Sequence, residues 1–245
     1  MRVFSKSAAE FLLVAILGLV WSTVAGATQV AAWTFEDGTA NDSFGAYDLT
    51  LVGGGPSIAG GIATFDGDEG SPSFLETTGY GGSPSWTIAL QLRSHAPFDQ
   101  GNFQGVFSNN SSSSANYSWQ VESFGGVYQF RTGNGVYVIG TPTGGFDSIV
   151  IRKTGGNDGD IWFNGVQVVA NFGSNPGGLQ NFRFGTNRNT NSFAAFDLGY
   201  AGVWDSFENP LLVPEPSSAI LMLLGLAGLA VATPRAPRSA TTPSD

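Results

Sequence analysis

The chain predicts an all-β body, a two-sheet antiparallel sandwich, set between an N-terminal signal helix and a C-terminal hydrophobic helix. Three observations predict it. Apolar residues come in short bursts of alternating parity, as in Trp86, Ile88, Leu90 and Leu92 against Thr87, Ala89, Gln91 and Arg93; that is the period of a half-buried strand. Glycine, 35 residues in 245, separates these bursts together with Asn, Ser and Pro. Between the two terminal segments no apolar pattern of period 3.6 persists long enough for a helix.

At the N-terminus, Arg2 and Lys6 precede an apolar core over 11–20 and then Val24-Ala25-Gly26-Ala27. Charged, apolar and small-residue regions in that order form a secretory signal peptide, with Ala25 and Ala27 as the cleavage box. Residues 1–27 are its expected extent. Strands are expected over 32–36, 47–52, 61–65, 86–93, 117–122, 127–131, 136–139, 148–152, 160–163, 166–170, 182–185 and 198–204, a dozen within one domain spanning 28–210. Asn164-Gly165 lies between two apolar runs and suits the positive φ of both central positions of a type I′ turn. The stretches 109–114 and 187–192, rich in Asn and Ser, read as solvated loops. From 211 the chain becomes a tail: Val213-Pro214-Glu215-Pro216, then an apolar run over 219–232, then Arg235 and Arg238. At about 1.5 Å per residue that run is short of a ~30 Å hydrocarbon core. The arginines beyond it place the tail's end on the cytoplasmic side and the body outside.

Residues 28–210 hold six Lys and Arg against sixteen Asp and Glu. So acidic a body offers no basic patch for phosphate backbones, which excludes a nucleic-acid partner. Cysteine is absent, so export brings no disulfide framework and stability must come from a packed core. His95 is the sole histidine, too few for a histidine-based triad or a zinc site. Glu36/Asp37, Asp66/Asp68/Glu69 and Asp158/Asp160 are the paired carboxylates, but they sit beside turn glycines, where Asp serves local hydrogen bonds. Hard cations want carboxylate and carbonyl oxygens on irregular loops, so Asp42, Asp66, Asp68, Asp158 and Asp160 are the calcium candidates. Tyr80, Tyr117, Trp119, Tyr128 and Tyr137 are the candidates for a sugar-stacking platform. No catalytic residue is assigned.

The tail resembles the PEP-CTERM sorting signal of Gram-negative bacteria: Pro214-Glu215-Pro216, a membrane segment over 219–232, and a basic end over 233–245. That resemblance implies an exosortase-type processing enzyme as partner, transient anchoring through the C-terminal segment, and delivery to the cell envelope or extracellular matrix. The body resembles a LamG-like, concanavalin A-like jelly roll. The matching pieces are Trp33-Thr34-Phe35-Glu36-Asp37-Gly38, Ala63-Thr64-Phe65-Asp66-Gly67-Asp68, Trp86-Thr87-Ile88-Ala89-Leu90, Phe146-Asp147-Ser148-Ile149-Val150-Ile151 and Trp162-Phe163-Asn164-Gly165, with the last strand over 196–204. Two departures stand out: the aspartate usual in the family's final strand aligns with Gly199, and the histidine of a Trp-His pair is missing. The resemblance implies a non-enzymatic domain displayed for adhesion or for contact with exopolysaccharide, surface glycan or protein. The alternatives are a polysaccharide lyase or glycoside hydrolase on the same sandwich, or a structural matrix protein without a specific ligand.

Overall fold

A computed structural model describes residues 28–77, 79–80, 84–95, 103–109, 119–133, 135–154, 156, 158–173 and 178–206. These form fifteen strands and no helix. In chain order they are β1 (Gln29–Trp33), β2 (Thr50–Gly53), β3 (Ser57–Ala59), β4 (Ile62–Asp66), β5 (Ser73–Glu76), β6 (Trp86–Ser94), β7 (Gln104–Asn109) and β8 (Trp119–Phe124). They continue as β9 (Val127–Thr132), β10 (Gly135–Gly140), β11 (Asp147–Lys153), β12 (Gly159–Phe163), β13 (Val166–Ala170), β14 (Phe182–Phe184) and β15 (Ala195–Trp204).

Two sheets result. Sheet A runs β13-β12-β11-β6-β15-β4-β3, and sheet B runs β10-β9-β8-β7-β14-β5-β2. All the strand pairs within them are antiparallel. Long β15 pairs with β6 along one edge and shares its other edge between β4 and β1.

The alternating pattern decides which face each sheet buries. On β6, Trp86, Ile88, Leu90 and Leu92 are at most 1% exposed. Aromatic rings bridge the two sheets: Trp86 of β6 stacks on Trp119 of β8 at 4.6 Å, and Trp33 of β1 meets Phe182 and Phe184 of β14 edge-on at 5.5 and 5.8 Å. Each such buried ring contributes about 2–3 kcal/mol through area alone, as an upper figure.

The expected hairpin forms: Asn164 and Gly165 have φ of 49° and 78°, and Phe163 pairs with Val166 across them. Three strands were not expected, β3, β5 and β7. β3 is three residues long, and β7 reads as Gln104-Gly105-Val106-Phe107-Ser108-Asn109, without clean alternation, because a bulge shifts its register between Gly105 and Phe107. The first strand also ends earlier than expected, at Trp33, because Phe35 adopts φ 57°, outside the strand region.

Candidate functional site

The outward face of sheet B carries a cluster of polar and aromatic side chains. Trp119 and Val121 of β8 and Tyr128 and Phe130 of β9 point into the core. By alternation, Gln120, Glu122, Phe124, Val127, Gln129 and Arg131 point outward. Glu122 is nevertheless fully buried. Arg131 Nε donates to its Oε1 at 2.7 Å and Gln120 Nε2 donates to its Oε2, so the carboxylate's charge is answered on the spot. Phe103, 43% exposed, stacks on Phe124 at 4.5 Å, and the Arg131 guanidinium lies 4.2 Å from its ring centre. Val136 and Val138 on edge strand β10 are also exposed. Farther across the sheet, Arg183 donates to Glu76 at 2.8 Å and lies over the Phe74 ring.

A strap over 185–193 crosses the middle of this face. Gly185 N donates to Val106 O at 2.8 Å and Gly105 N to Ser192 O at 3.3 Å. Arg188 N donates to Gln120 Oε1 at 3.1 Å. Inside the strap, Asn187 Oδ1 accepts from Asn189 N and Asn191 N, each at 3.1 Å, and Thr190 holds φ 54°, an outlier for a β-branched residue. The expectation of a solvated loop over 187–192 is therefore corrected: Asn187 and Ser192 are buried, because the strap replaces water as partner for the sheet. Its counterpart at 109–114 begins with a buried residue too. Asn109 ends β7, with its amide held by Gly178 O and Gln180 N; residues 110–114 lie outside the described residues.

Among the described residues this face does not bring carboxylates together. Glu76 and Glu122 are separated by β14 and β7, three strand spacings or about 14 Å, wider than the roughly 5–10 Å of glycosidase pairs. The aromatic platform also differs from the expected one. Trp119, Tyr128 and Tyr80 belong to the core, and Tyr137, half-buried, donates its hydroxyl to Phe172 O. Tyr117 lies outside the described residues. With so aromatic an interior, parity and not residue type decides which strand rings turn outward; among the described residues the rings at this end of the face are the exposed Phe103 and the half-buried Phe124.

On sheet A the outward faces of β4, β6 and β15 share one buried acid, Asp197. It accepts from Arg93 Nε at 3.0 Å and Thr64 Oγ1 at 2.8 Å, and His95 Nε2 lies 3.0 Å away. Burial works against its charge, but these three donors prevail and hold the carboxyl below its usual range. His95 thus closes a polar cluster around the Arg93–Asp197 ion pair. The acid stands two residues before Gly199, where a β-bulge between Leu198 and Tyr200 shifts the register.

The calcium candidates are dispersed. Asp42 is buried, and its carboxylate accepts four backbone N–H groups, from Ala32 and Phe44 (2.8 and 2.9 Å) and from Ala46 and Tyr47 (3.3 and 3.1 Å). Asp66 Oδ1 accepts Asp68 N at 3.1 Å, and Asp68 Oδ1 accepts Gly70 N at 2.8 Å, both as turn hydrogen bonds. Asp160 is held by Arg152, whose Nε donates to Oδ1 at 2.7 Å. Asp158 lines a small depression with Asp160. Among the described residues no three His, Cys, Asp or Glu side chains gather as a metal site. Ala25, Ala27, Val213, Pro214, Glu215 and Pro216 lie outside the described residues.

No family model matches the chain, and no curated protein matches it. Solved structures do. The binding domain of botulinum neurotoxin serotype G is similar over 80% of this chain and 51% of its own, at 15% identity and a TM-score of 0.56. The binding domain of botulinum neurotoxin DC, in complex with rat synaptotagmin II, aligns over 80% and 51% at 10% identity and a TM-score of 0.55. A structure of botulinum neurotoxin type C, whose cell entry depends on two ganglioside molecules, aligns over 81% and 51% at 10% identity and a TM-score of 0.52. The chain spans about half the length of these structures. At such identities the likeness is one of fold.

Proposed function

We propose that this is an exported, envelope-associated protein that displays a LamG-like jelly-roll domain for adhesion, by binding carbohydrate or protein, without enzymatic activity. The observation that carries the reading is the exposed Phe103 stacked on the half-buried Phe124, beside Arg131 and Gln129 at sheet B. An exposed ring stacked on a second ring and backed by the part-buried Arg131–Glu122 pair is rigid contact area with little ordering cost. The spacing of Glu76 and Glu122, and their pairing with arginines, supports binding over hydrolysis. Some structural neighbours are themselves described with a glycan or a protein bound, which supports a ligand of either kind here. In this reading the signal peptide exports the chain, an exosortase-type enzyme recognises Pro214-Glu215-Pro216, and the body is presented at the envelope or in the matrix.

A glycan array probed with the full chain, with and without calcium, tests the ligand class. Binding that falls about tenfold or more in Phe103→Ala, at unchanged thermal stability, is the expected result. An array with no binding above background removes the glycan reading and leaves a protein ligand to be sought by capture on envelope fractions.

A further inference from the structure

Away from the outward face of sheet B, at the turn joining β11 to β12, lies a depression of about 200 Å³ lined by Thr154, Asp158, Gly159, Asp160 and Asn171. At roughly 30 Å³ per water it has room for about six or seven waters, the scale of one sugar ring. Its floor is tightly specified. A Cβ on Gly159 would run into the buried Phe172 ring and the Arg152 carbonyl, so a larger residue here would push the start of β12 out of place. Its walls are fixed as well. Thr154 N and Oγ1 both donate to Asp158 O, at 2.9 and 3.0 Å. Asn171 stands at φ 55° with its Oδ1 accepting Gly173 N at 3.0 Å, which leaves its amide NH₂ as the donor of the set.

The charges in this depression decide what it suits. Arg152 engages both carboxylate oxygens of Asp160, so that pair is neutral overall and its guanidinium is not available to an anion. Asp158 adds a negative charge, which repels carboxylate, sulfate and phosphate groups. A divalent cation fares poorly too. It would compete with Arg152 for Asp160, and it would retain one free carboxylate where hard cations take six to eight oxygens. What remains is a neutral ligand rich in hydroxyls, able to donate to Asp158 and Asp160 and to accept from Asn171.

We propose that this depression is a binding site for a neutral sugar, engaged through adjacent hydroxyls. It is separate from the sheet B face and does not depend on it. For a ligand the size of one hexose the dissociation constant is on the order of 1 mM.

The test is ligand-observed NMR of the full chain in detergent with methyl glucoside, galactoside and mannoside, and with glucuronate as the anionic control. Binding of at least one neutral glycoside, weakened about tenfold or more by Asp158→Asn and by Asn171→Gly, is the expected result. Glycine suits the φ of residue 171, so that variant keeps the fold while deleting the amide. Binding is expected to survive EDTA and Phe103→Ala. The proposal is overturned if no neutral glycoside binds at roughly 50 mM, if both variants bind as the parent does, or if EDTA or Phe103→Ala abolishes binding. The last two outcomes would assign the sugar to a cation or to the sheet B face.

Discussion

Asp42 is the side chain whose removal discriminates most sharply between a structural and a cation-binding role. Its two oxygens collect four backbone N–H groups, tying the loop over 42–47 to the middle of β1. Phe44 and Ala46 are exposed, so water replaces the acceptor for them when the side chain is truncated. Ala32 is 4% exposed and Tyr47 is half-buried, so their donors stay unpaired. At about 1–3 kcal/mol for each orphaned donor, plus the packing of the truncated side chain, Asp42→Ala should cost about 3–5 kcal/mol. That is a large part of the ~5–15 kcal/mol that holds a domain folded. Asp42→Asn keeps one oxygen in place for Ala32 and Phe44 but turns an NH₂ toward Ala46 and Tyr47, and should cost about 1–3 kcal/mol. Urea denaturation followed by tryptophan fluorescence, with and without EDTA, measures both. A loss under about 1 kcal/mol for Asp42→Ala, or a wild-type midpoint that drops on EDTA, would refute the reasoning and return Asp42 to the cation ligands.

Three further outcomes are expected. Burial raises the phenol of Tyr80 to about 12 and those of Tyr128 and Tyr200 above their ordinary 10.0. Their stabilisation is therefore complete below pH 10 and is lost as pH rises from 10 toward 12 and beyond, since the unfolded chain ionises first; a denaturation series across that range checks it, and an equal alkaline slope in Tyr128→Phe contradicts it. Gly105→Ala places a Cβ inside the backbone of Thr186 and Asn187, so it should lift the strap and cost about 1–3 kcal/mol, read by thermal unfolding together with new protease cleavage within 186–192. Replacing Pro214-Glu215-Pro216 by alanines should block C-terminal processing in the native host, and unchanged mature mass and surface display would rule that motif out as the signal.

The sandwich was legible because its causes are local. The alternating apolar residues of β6, the alternating burial along β9 and the paired positive φ of Asn164-Gly165 depend on residues a few positions apart. The three unexpected strands lack such signals: β3 is too short to show a period, and the bulge in β7 breaks its alternation. Parity also explains why Trp119 and Tyr128 could not be told from exposed rings, since the sequence alone does not say which face of a strand meets the second sheet.

The sequence by itself determined the all-β class, the acidic cysteine-free body and the terminal segments that motivate export. Only the tertiary structure decided which residues meet. Glu122 with Arg131, Asp197 with Arg93, His95 and Thr64, and Asp158 with Asn171 come from separate strands and turns. Sheet order and register, set by long-range pairing, bring them together. The same pairing lays the strap over 185–193 across sheet B and leaves Phe103 exposed on its stack with Phe124, since no local pattern specifies contacts between residues some eighty positions apart.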